Sequence, residues 1–316
     1  MNLFDNNTTN NKKVKVTKEG VYLLDKKDIQ SFNRLTLSPS TVDSWLQSPA
    51  DFVLDKYIKP QLIEKEEVHF TRGKWFHSVM ESFFHLEKAE RTVYNLKKLA
   101  IENLKNPDYI TLAKDPESQE WIKEILKLYT RDFLKMGQEE NVAILPIQGK
   151  PTKGLELMVS GKLAPTKRRC FGFIDKVVEG EKGLIVQDWK TGRHVDDYNP
   201  NKRISTNNSF GYWRQQTMYS MLLENEGANV EGACLIFPLA NTIVNVNQND
   251  TKVREQVIAD LLQVDSEMTQ AVENGYFFPY KKGKWNHWSS WLGGLGSADR
   301  PKIDEAKFMN IAEIDI

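Results

Sequence analysis

The spacing of apolar residues changes once along the chain, from a helical period to a strand period. Between residues 37 and 137 the apolar positions predict two short helices that meet at Ser48-Pro49, a long helix interrupted near residues 89–92, and a third helix from Pro116 to about Gly137. From about residue 150 the period is two, which predicts three consecutive antiparallel strands. A helix, two further strands and a last helix follow. This order predicts an α/β (α+β) fold in which helices flank a mixed β-sheet after an N-terminal helical segment.

The same pattern suggests where the domain begins and ends. Residues 1–36 contain no apolar segment of the kind a signal peptide needs, and we interpret them as a partly disordered leader. Residues 37–280 form the expected single domain, with its helical part at about 37–137 and its sheet at about 150–250. Residues 281–316 are rich in aromatic residues, Gly and Lys, and we expect this tail to pack on the domain.

Composition narrows the function classes only slightly. The 43 Lys and Arg residues balance the 43 Asp and Glu residues, so any site for a polyanion must be local. The 316 residues contain no uninterrupted apolar run of the length that spans a bilayer, so we expect a cytoplasmic protein without a membrane partner. Cys170 and Cys234 lie in apolar contexts without metal-ligand spacing, which favours buried thiols over a disulfide.

One stretch carries the candidate chemistry, namely CFGFIDKVVEGEKGLIVQDWKTGRH, residues 170–194. Asp175 and Asp188 follow two apolar runs that a hairpin signal separates, and Lys190 shares a strand face with Asp188. Adjacent carboxylates repel unless a cation lies between them, and Mg²⁺ prefers such oxygen ligands. With a lysine beside it, this set suits metal-assisted phosphodiester hydrolysis. The alternative is that the aspartates merely end strands and that Lys190 begins a polar turn.

Four motifs in sequence order favour the first interpretation. They are Gly73 and His77 in RGKWFHSVMESFF; Gly172 and Asp175 in GFIDKV; Asp188, Lys190, Thr191 and Gly192 in QDWKTG; and Gln215 and Tyr219 in RQQTMYSMLL. Together with the entry segment LSPSTVDSWLQSPADFVLDKY, this set resembles the RecB-like branch of the PD-(D/E)XK nuclease superfamily over roughly residues 37–238.

The resemblance implies a restriction-endonuclease-like core and a role for each motif residue. The implied ligands of Mg²⁺ or Mn²⁺ are His77, Asp175, Asp188 and the backbone carbonyl of Trp189. Lys190 would be the catalytic lysine, with Gln215 and Tyr219 beside it in the active site. Glu81 and Glu156 are candidates for supporting this site. The expected contacts with nucleic acid are Arg169, Lys176, Arg193, Lys202 and Arg203.

The chain departs from part of the family at the iron-sulfur positions. Ser48 stands where many RecB-like nucleases have a cysteine, and KWNHWSSWLGG near the C-terminus contains none, so we expect no iron-sulfur cluster. Packing of Trp285, Trp288 and Trp291 against the N-terminal helices could take its place, and stacking of these residues on single-stranded bases is the alternative. There is no Walker A motif and hence no ATP site, so a motor would come from a separate helicase or recombination protein.

The expected function is that of a divalent-metal-dependent DNA nuclease, an exonuclease of the stand-alone or CRISPR-associated type that acts on single-stranded DNA or DNA ends. Such a protein suits replication, recombination or repair, including in a phage. The alternatives are an inactive nucleic-acid-binding or assembly protein that retains the fold, an RNA-directed nuclease, and an endonuclease.

Overall fold

The computed structural model describes residues 12–62, 68–193, 209–281, 288 and 304–315. The chain divides into two compact units. The central unit comprises residues 66–165 and 169–259, and the terminal unit comprises residues 1–65, 166–168 and 260–316. Within the described ranges, no helix combines the length and the apolar character that crossing a bilayer requires.

Helices and strands occur in both units. The strands are β1 Val14–Thr17, β2 Gly20–Leu23, β3 Ile144–Ile147, β4 Lys150–Lys153, β5 Leu155–Gly161, β6 Cys170–Glu179, β7 Leu184–Trp189, β8 Val230–Phe237, β9 Thr242–Val246, β10 Phe277–Pro279 and β11 Ala312–Asp315. The helices are α1 Lys26–Asn33, α2 Pro39–Gln47, α3 Pro49–Tyr57, α4 Lys59–Leu62, α5 Val68–His85, α6 Val93–Asn103, α7 Ile110–Lys114, α8 Pro116–Asp132, α9 Leu134–Glu139, α10 Ser209–Asn225, α11 Thr251–Glu273 and α12 Glu305–Ile311.

The central unit is built on a mixed sheet of strand order β5-β6-β7-β8-β9. Strands β5, β6 and β7 pair antiparallel and form the predicted meander. Strands β7 and β8 are parallel, and the connection between them contains α10. Parallel neighbours need such a crossover, whereas β8 and β9 pair antiparallel after a short turn. The predicted mixed sheet flanked by helices is therefore confirmed.

The core of the central unit lies between one face of this sheet and helices α5 and α8. Helix α5 contributes a buried aromatic stripe that includes Phe76 and Phe84, and α8 contributes Tyr129. These rings surround Trp189 at the end of β7, which is 3% exposed. The core thus fixes the end of the strand that carries Asp188 and Lys190.

The predicted helix boundaries in the first third of the chain are confirmed. Helices α2 and α3 meet at Ser48-Pro49, where the Ser48 hydroxyl accepts the backbone N–H of Asp51 at 3.2 Å. Such an N-cap, followed by proline at the first helical position, is a strong start signal. The long helical segment is interrupted after His85 and resumes at Val93 as α6.

The terminal unit contains a sheet that the amphipathic pattern did not predict. Its strand order is β10-β2-β1-β11, with β1 and β11 parallel and the other pairs antiparallel. Residues 14–33 lie in the expected leader, but they form β1, β2 and α1. Val14 and Val16 are almost completely buried and pair with the distant Ala312 and Ile314, and this long-range pairing orders the segment.

In the aromatic stretch of the tail, Trp288 is the described tryptophan, and it is packed inside the terminal unit. Trp288 is completely buried, donates its indole N–H to Asp55 Oδ1 at 3.0 Å, and stacks on Phe308 at 6.0 Å. Trp285 and Trp291 lie outside the described residues. The two cysteines, Cys170 and Cys234, are buried free thiols, as expected.

Candidate active site

Three acidic residues occupy the same level on three neighbouring strands. The strand register is fixed by the pairs Leu155–Lys176, Leu157–Ile174 and Lys176–Gln187. This register places Glu156 of β5 opposite Asp175 of β6, and Asp175 opposite Asp188 of β7. Directly opposed side chains on antiparallel strands have their Cβ atoms about 5 Å apart. The meander therefore gathers three carboxylates into one row, which we call the acidic row.

Trp189 determines which way the end of β7 faces. Its ring packs 5.7 Å from that of Tyr129 and 6.0 Å from that of Phe76, measured between centroids. Because successive side chains of a strand alternate in direction, Asp188 and Lys190 must project to the other face. The backbone N–H of Trp189 also donates to Asp175 Oδ2 at 2.8 Å, which fixes that carboxylate.

His77 joins the acidic row from helix α5. Its Nδ1 lies 3.2 Å from Asp175 Oδ2. One potential ligand atom from each of His77, Glu156 and Asp175 lies within 4.8 Å of the other two, a spacing that could hold a metal ion. The neighbouring Phe76 is buried against Trp189, so the helix that carries His77 is held against the sheet.

Glu156 has an unusual backbone conformation. Its φ is +42°, and among the described residues it is the only non-glycine residue within a strand that has a positive φ. For a residue with a Cβ, this left-handed conformation costs about 1–2 kcal/mol. Strain of this kind is concentrated at functional sites, where the surrounding structure imposes it. Here it accompanies the approach of the Glu156 carboxylate to Asp175 and His77.

A second group of side chains surrounds Asp188. Lys190 Nζ lies 2.5 Å from Asp188 Oδ2, and Gln215 Nε2 donates to Asp188 Oδ1 at 3.0 Å. Lys190 Nζ also donates to Gln215 Oε1 at 3.1 Å, and Gln215 Nε2 lies 3.2 Å from the Tyr219 hydroxyl. Gln215 therefore links the lysine, the carboxylate and the phenol from one face of α10.

The pKa values of this cluster show that negative charge is crowded in it. Burial, and then the charge of Asp175, raise the pKa of Glu156 to about 7 and that of Asp188 to about 6. Burial opposes protonation of His77, but Asp175 outweighs it and raises the His77 pKa to about 9. Burial also disfavours the charge on Asp175, whereas His77 and Lys190 lower its pKa overall. A bound cation would relieve this repulsion.

The donor set fits a divalent metal ion. Carboxylate oxygens suit Mg²⁺, Ca²⁺ and Mn²⁺, and an imidazole nitrogen shifts the preference toward Mn²⁺. Glu156 belongs to the compact donor group, while both oxygens of Asp188 already contact Lys190 or Gln215. The structure thus moves Glu156 from a supporting position into the donor group. Glu81 lies near enough for its charge to raise the Glu156 pKa.

Of the candidate nucleic-acid contacts, Arg169 and Arg193 lie at the surface. Arg169 is exposed at the start of β6. The Arg193 side chain is 48% exposed, and its Nη1 donates to Glu124 Oε1 at 2.6 Å. Lys202 and Arg203 lie outside the described residues.

The prediction for Lys176 is wrong, because its side chain is completely buried. Its Nζ lies 2.5 Å from Glu140 Oε2 and 3.7 Å from the centroid of the Phe84 ring. Burial lowers the Lys176 pKa, and Glu140 opposes that shift. Lys176 directly follows Asp175, so strand alternation turns it into the core, away from any bound DNA.

Sequence reasoning missed one aromatic residue of the site. Lys190 Nζ lies 4.5 Å from the centroid of the Tyr212 ring. A cation placed over an aromatic face is attracted by the ring quadrupole. The signal was present, since Tyr212 precedes Gln215 by three residues and therefore shares its face of α10.

Comparison with known proteins agrees with this geometry. A family model of the PD-(D/E)XK nuclease superfamily matches residues 36–297. No curated protein matches the chain significantly. The expected restriction-endonuclease-like fold is confirmed by the family match and the mixed sheet together.

Proposed function

The chain belongs to the PD-(D/E)XK nuclease superfamily, whose members hydrolyse phosphodiesters with divalent metal ions, and we propose that it is a Mg²⁺- or Mn²⁺-dependent DNA nuclease of the RecB-like branch. We propose further that it acts as an exonuclease on single-stranded DNA or DNA ends. One observation carries this proposal: the acidic row, Glu156, Asp175 and Asp188, is joined by His77 at Asp175 and by Lys190 at Asp188.

The proposed metal ligands are His77, Glu156 and Asp175, with Asp188 and the carbonyl of Trp189 as further ligands. A bound divalent ion supplies Lewis acidity to the scissile phosphate and lowers the pKa of its water. The Trp189 N–H holds one oxygen of Asp175, so that carboxylate keeps its orientation before any substrate arrives. This preorganisation supports both binding and catalysis.

Lys190 is the proposed catalytic residue that contacts the reacting atoms. Asp188 Oδ2 and Gln215 Oε1 hold its ammonium in place, and 16% of its side chain remains exposed. From there it donates hydrogen bonds to the attacking water or the scissile phosphate and offsets the charge that develops on phosphate oxygens. Gln215 and Tyr219 are proposed as positioning residues, because they act through Asp188 and Lys190.

The order of the four motifs supports the RecB-like branch and exonuclease action, and the exposed Arg169 supports DNA as the ligand. The four motifs resemble the RecB-like branch, in which many domains degrade single strands from an end. The exposed Arg169 can neutralise a phosphate, so DNA binding should weaken steeply with salt. A role in replication, recombination or repair in the cytoplasm, with a separate helicase or recombination protein supplying any motor, completes the proposal.

The test is degradation of end-labelled single-stranded and duplex linear DNA beside a closed circle and a matched RNA strand. Each substrate is incubated with Mg²⁺, Mn²⁺ or EDTA. We expect metal-dependent release of label from linear DNA and no cutting of the circle. Since Lys190 contacts the reacting atoms, Lys190→Ala should lose this activity while DNA binding is retained.

The matched control is Lys123→Ala, which removes an exposed lysine of α8 that pairs with Glu120. It should cut DNA like the unaltered protein. DNA binding without cutting by any metal form would favour the inactive binding protein. Cutting of the circle would show an endonuclease in place of the proposed exonuclease. Cutting of RNA alone would show an RNA-directed nuclease in place of the proposed DNA nuclease.

A further inference from the structure

An apolar strip on β5 and β6 lies beside Asp175, the central carboxylate of the acidic row. It consists of Phe171 and Phe173 of β6 and Met158 of β5, which pairs with Phe173. Phe173 and Met158 are each 48% exposed, and Phe171 is half-buried. The two phenyl rings meet edge to face with centroids 5.2 Å apart. We call these three residues the aromatic strip.

The aromatic strip adjoins Asp175 along β6. Phe171, Phe173 and Asp175 are alternate residues, and their exposures alternate with the buried positions between them. On β5, Met158 and Glu156 likewise alternate with buried residues. The strip is therefore next to Glu156 and Asp175 along the strand pair.

Packing among the residues that the structure describes does not account for the aromatic strip. The residues that alternate with the strip in β6, Gly172 and Ile174, are buried, and Gly172 lies directly against Tyr219. A solvated strand face usually carries polar residues, and single exposed apolar residues are common. Here three apolar residues are contiguous and adjoin a catalytic carboxylate, which indicates a ligand with an apolar surface.

We propose that Phe171 and Phe173 form a base-stacking platform for a single DNA strand whose scissile phosphate binds at the acidic row. This inference rests on the proposed nuclease function and deepens it, because it names the substrate form. Aromatic side chains bind unpaired bases of any sequence through their π faces. Bases inside a duplex are already stacked on each other, so the platform selects single strands or frayed ends.

The geometry of the strip suits an extended strand. The ring centroids of Phe171 and Phe173 are 5.2 Å apart, wider than the roughly 3.4 Å between stacked bases in a duplex, and the ring planes are nearly perpendicular. Each phenyl ring can thus meet a separate, unstacked base. Arg169, two residues before Phe171 and exposed, supplies a positive charge for the backbone of the same strand.

The first test compares DNA binding of two proteins that cannot cut, Lys190→Ala and the same chain carrying Phe171→Leu and Phe173→Leu. Leucine keeps the apolar character and removes the π face. Binding of a labelled single-stranded oligonucleotide in Mg²⁺, measured by fluorescence anisotropy, should weaken by about five- to a hundredfold. Tyr94→Leu, which removes a 74% exposed aromatic residue of α6, is the control and should not change binding.

The second test changes the ligand and needs no alteration of the strip. An oligonucleotide with base-free sugars should bind Lys190→Ala weakly and should be insensitive to the two leucines. Equal binding of normal and base-free strands would overturn the platform. The platform would also be overturned if the leucine variant bound single strands as tightly as Lys190→Ala does, or if Lys190→Ala did not bind them at all.

Two further outcomes separate this inference from the proposed function. Stacking-dependent binding by a protein that cuts no strand with either metal would leave the platform standing and refute the nuclease. Metal-dependent cutting that the leucines leave unchanged, for single strands and duplexes alike, would refute the platform alone. A dimer that the leucines dissociate in sedimentation would assign the strip to a second copy of the chain and overturn the inference.

Discussion

The ring of Tyr219 lies so close to Gly172 that a Cβ on this glycine would be 2.4 Å from ring atom Cε1. The Tyr219 hydroxyl in turn lies 3.2 Å from Gln215 Nε2, and the same amide nitrogen donates to Asp188. The bare backbone at Gly172 therefore allows α10 to approach the sheet closely enough for Gln215 to reach the acidic row. This gives the glycine of the Gly-x-x-Asp motif a steric role.

Gly172→Ala should consequently destabilise the protein and disturb the site. We expect the free energy of unfolding to fall by about 1–3 kcal/mol, because a new methyl group must displace a buried ring. Urea denaturation measures this loss. Gly232→Ala is the control, since a Cβ there meets no atom closer than 3.9 Å. Equal stability of the two variants would contradict the close packing of Tyr219 on Gly172.

Metal binding should release protons at neutral pH. A cation requires His77 and Glu156 without their protons, yet their pKa values are raised to about 9 and about 7. Affinity for Mg²⁺ or Mn²⁺ should therefore rise as the pH increases from 6 to 9. Titration calorimetry in buffers of different ionisation enthalpy counts the released protons. Glu156→Gln should release fewer, and Glu124→Gln, at the surface pair with Arg193, should release as many as the unaltered protein.

The same groups make metal-free stability depend on pH. The His77 pKa is raised from 6.5 to about 9, so its stabilising contribution is complete below pH 6.5 and is lost as the pH rises through 9. The Glu156 pKa is raised from 4.5 to about 7, so the stabilising contribution of its protonated form is complete below pH 4.5 and is lost as the pH rises through 7. The increase in Tm caused by Mn²⁺ should therefore grow between pH 6 and pH 9. A constant or shrinking increase would refute a cation site at these residues.

Local patterns predicted the central sheet well because each of its strands carries its own signal. The hairpin turn between β6 and β7 and the alternation along both strands suffice to pair Asp175 with Asp188. The terminal sheet had no such signal, since β1 joins β11 across almost the whole chain and β10 has only three residues. Pairing at that distance depends on tertiary packing, which a short window of sequence does not contain.

Within the site, sequence identified residue types and missed backbone geometry. Asp188, Lys190 and Gln215 were predicted to lie together, and they do. The positive φ of Glu156 is a property of the folded strand pair, so its place in the donor group was not foreseeable from composition. Lys176 is different, because the alternation that sends Asp175 outward already sends its neighbour inward.

Glu156→Gly should separate stability from activity. Glycine adopts a positive φ without penalty, so the free energy of unfolding of the metal-free protein should rise by about 1 kcal/mol. Loss of a metal-ligating carboxylate should lower nuclease activity at least about tenfold, because the remaining ligands bind the metal ion more weakly. Gln148→Gly is the matched control, since Gln148 has a φ of +49° in the turn between β3 and β4. It should gain similar stability and keep full activity, and full activity of Glu156→Gly would remove Glu156 from the site.

Lys176 and Arg169 should respond in opposite ways to substitution, because one is buried and the other is exposed. Lys176→Met leaves Glu140 with Gln187 Nε2, 2.8 Å away, but without its cation. Breaking a buried pair in this way costs about 3–5 kcal/mol, and adding Glu140→Gln should recover part of it. Arg169→Ala should leave the free energy of unfolding within about 0.5 kcal/mol of its original value.

For DNA binding, substitution of Arg169 should have an effect and substitution of Lys176 should have none. The logarithm of affinity falls with the logarithm of salt concentration by about 0.7–0.9 for each phosphate contact. Arg169→Ala should reduce this slope by about one contact, whereas Lys176→Met with Glu140→Gln should bind single-stranded DNA with the original slope. Anisotropy titrations between 50 and 200 mM salt, on proteins made non-cutting by Lys190→Ala, measure both. A reduced slope for the Lys176 variant would mean that its ammonium reaches the DNA and that the buried pair with Glu140 opens in solution.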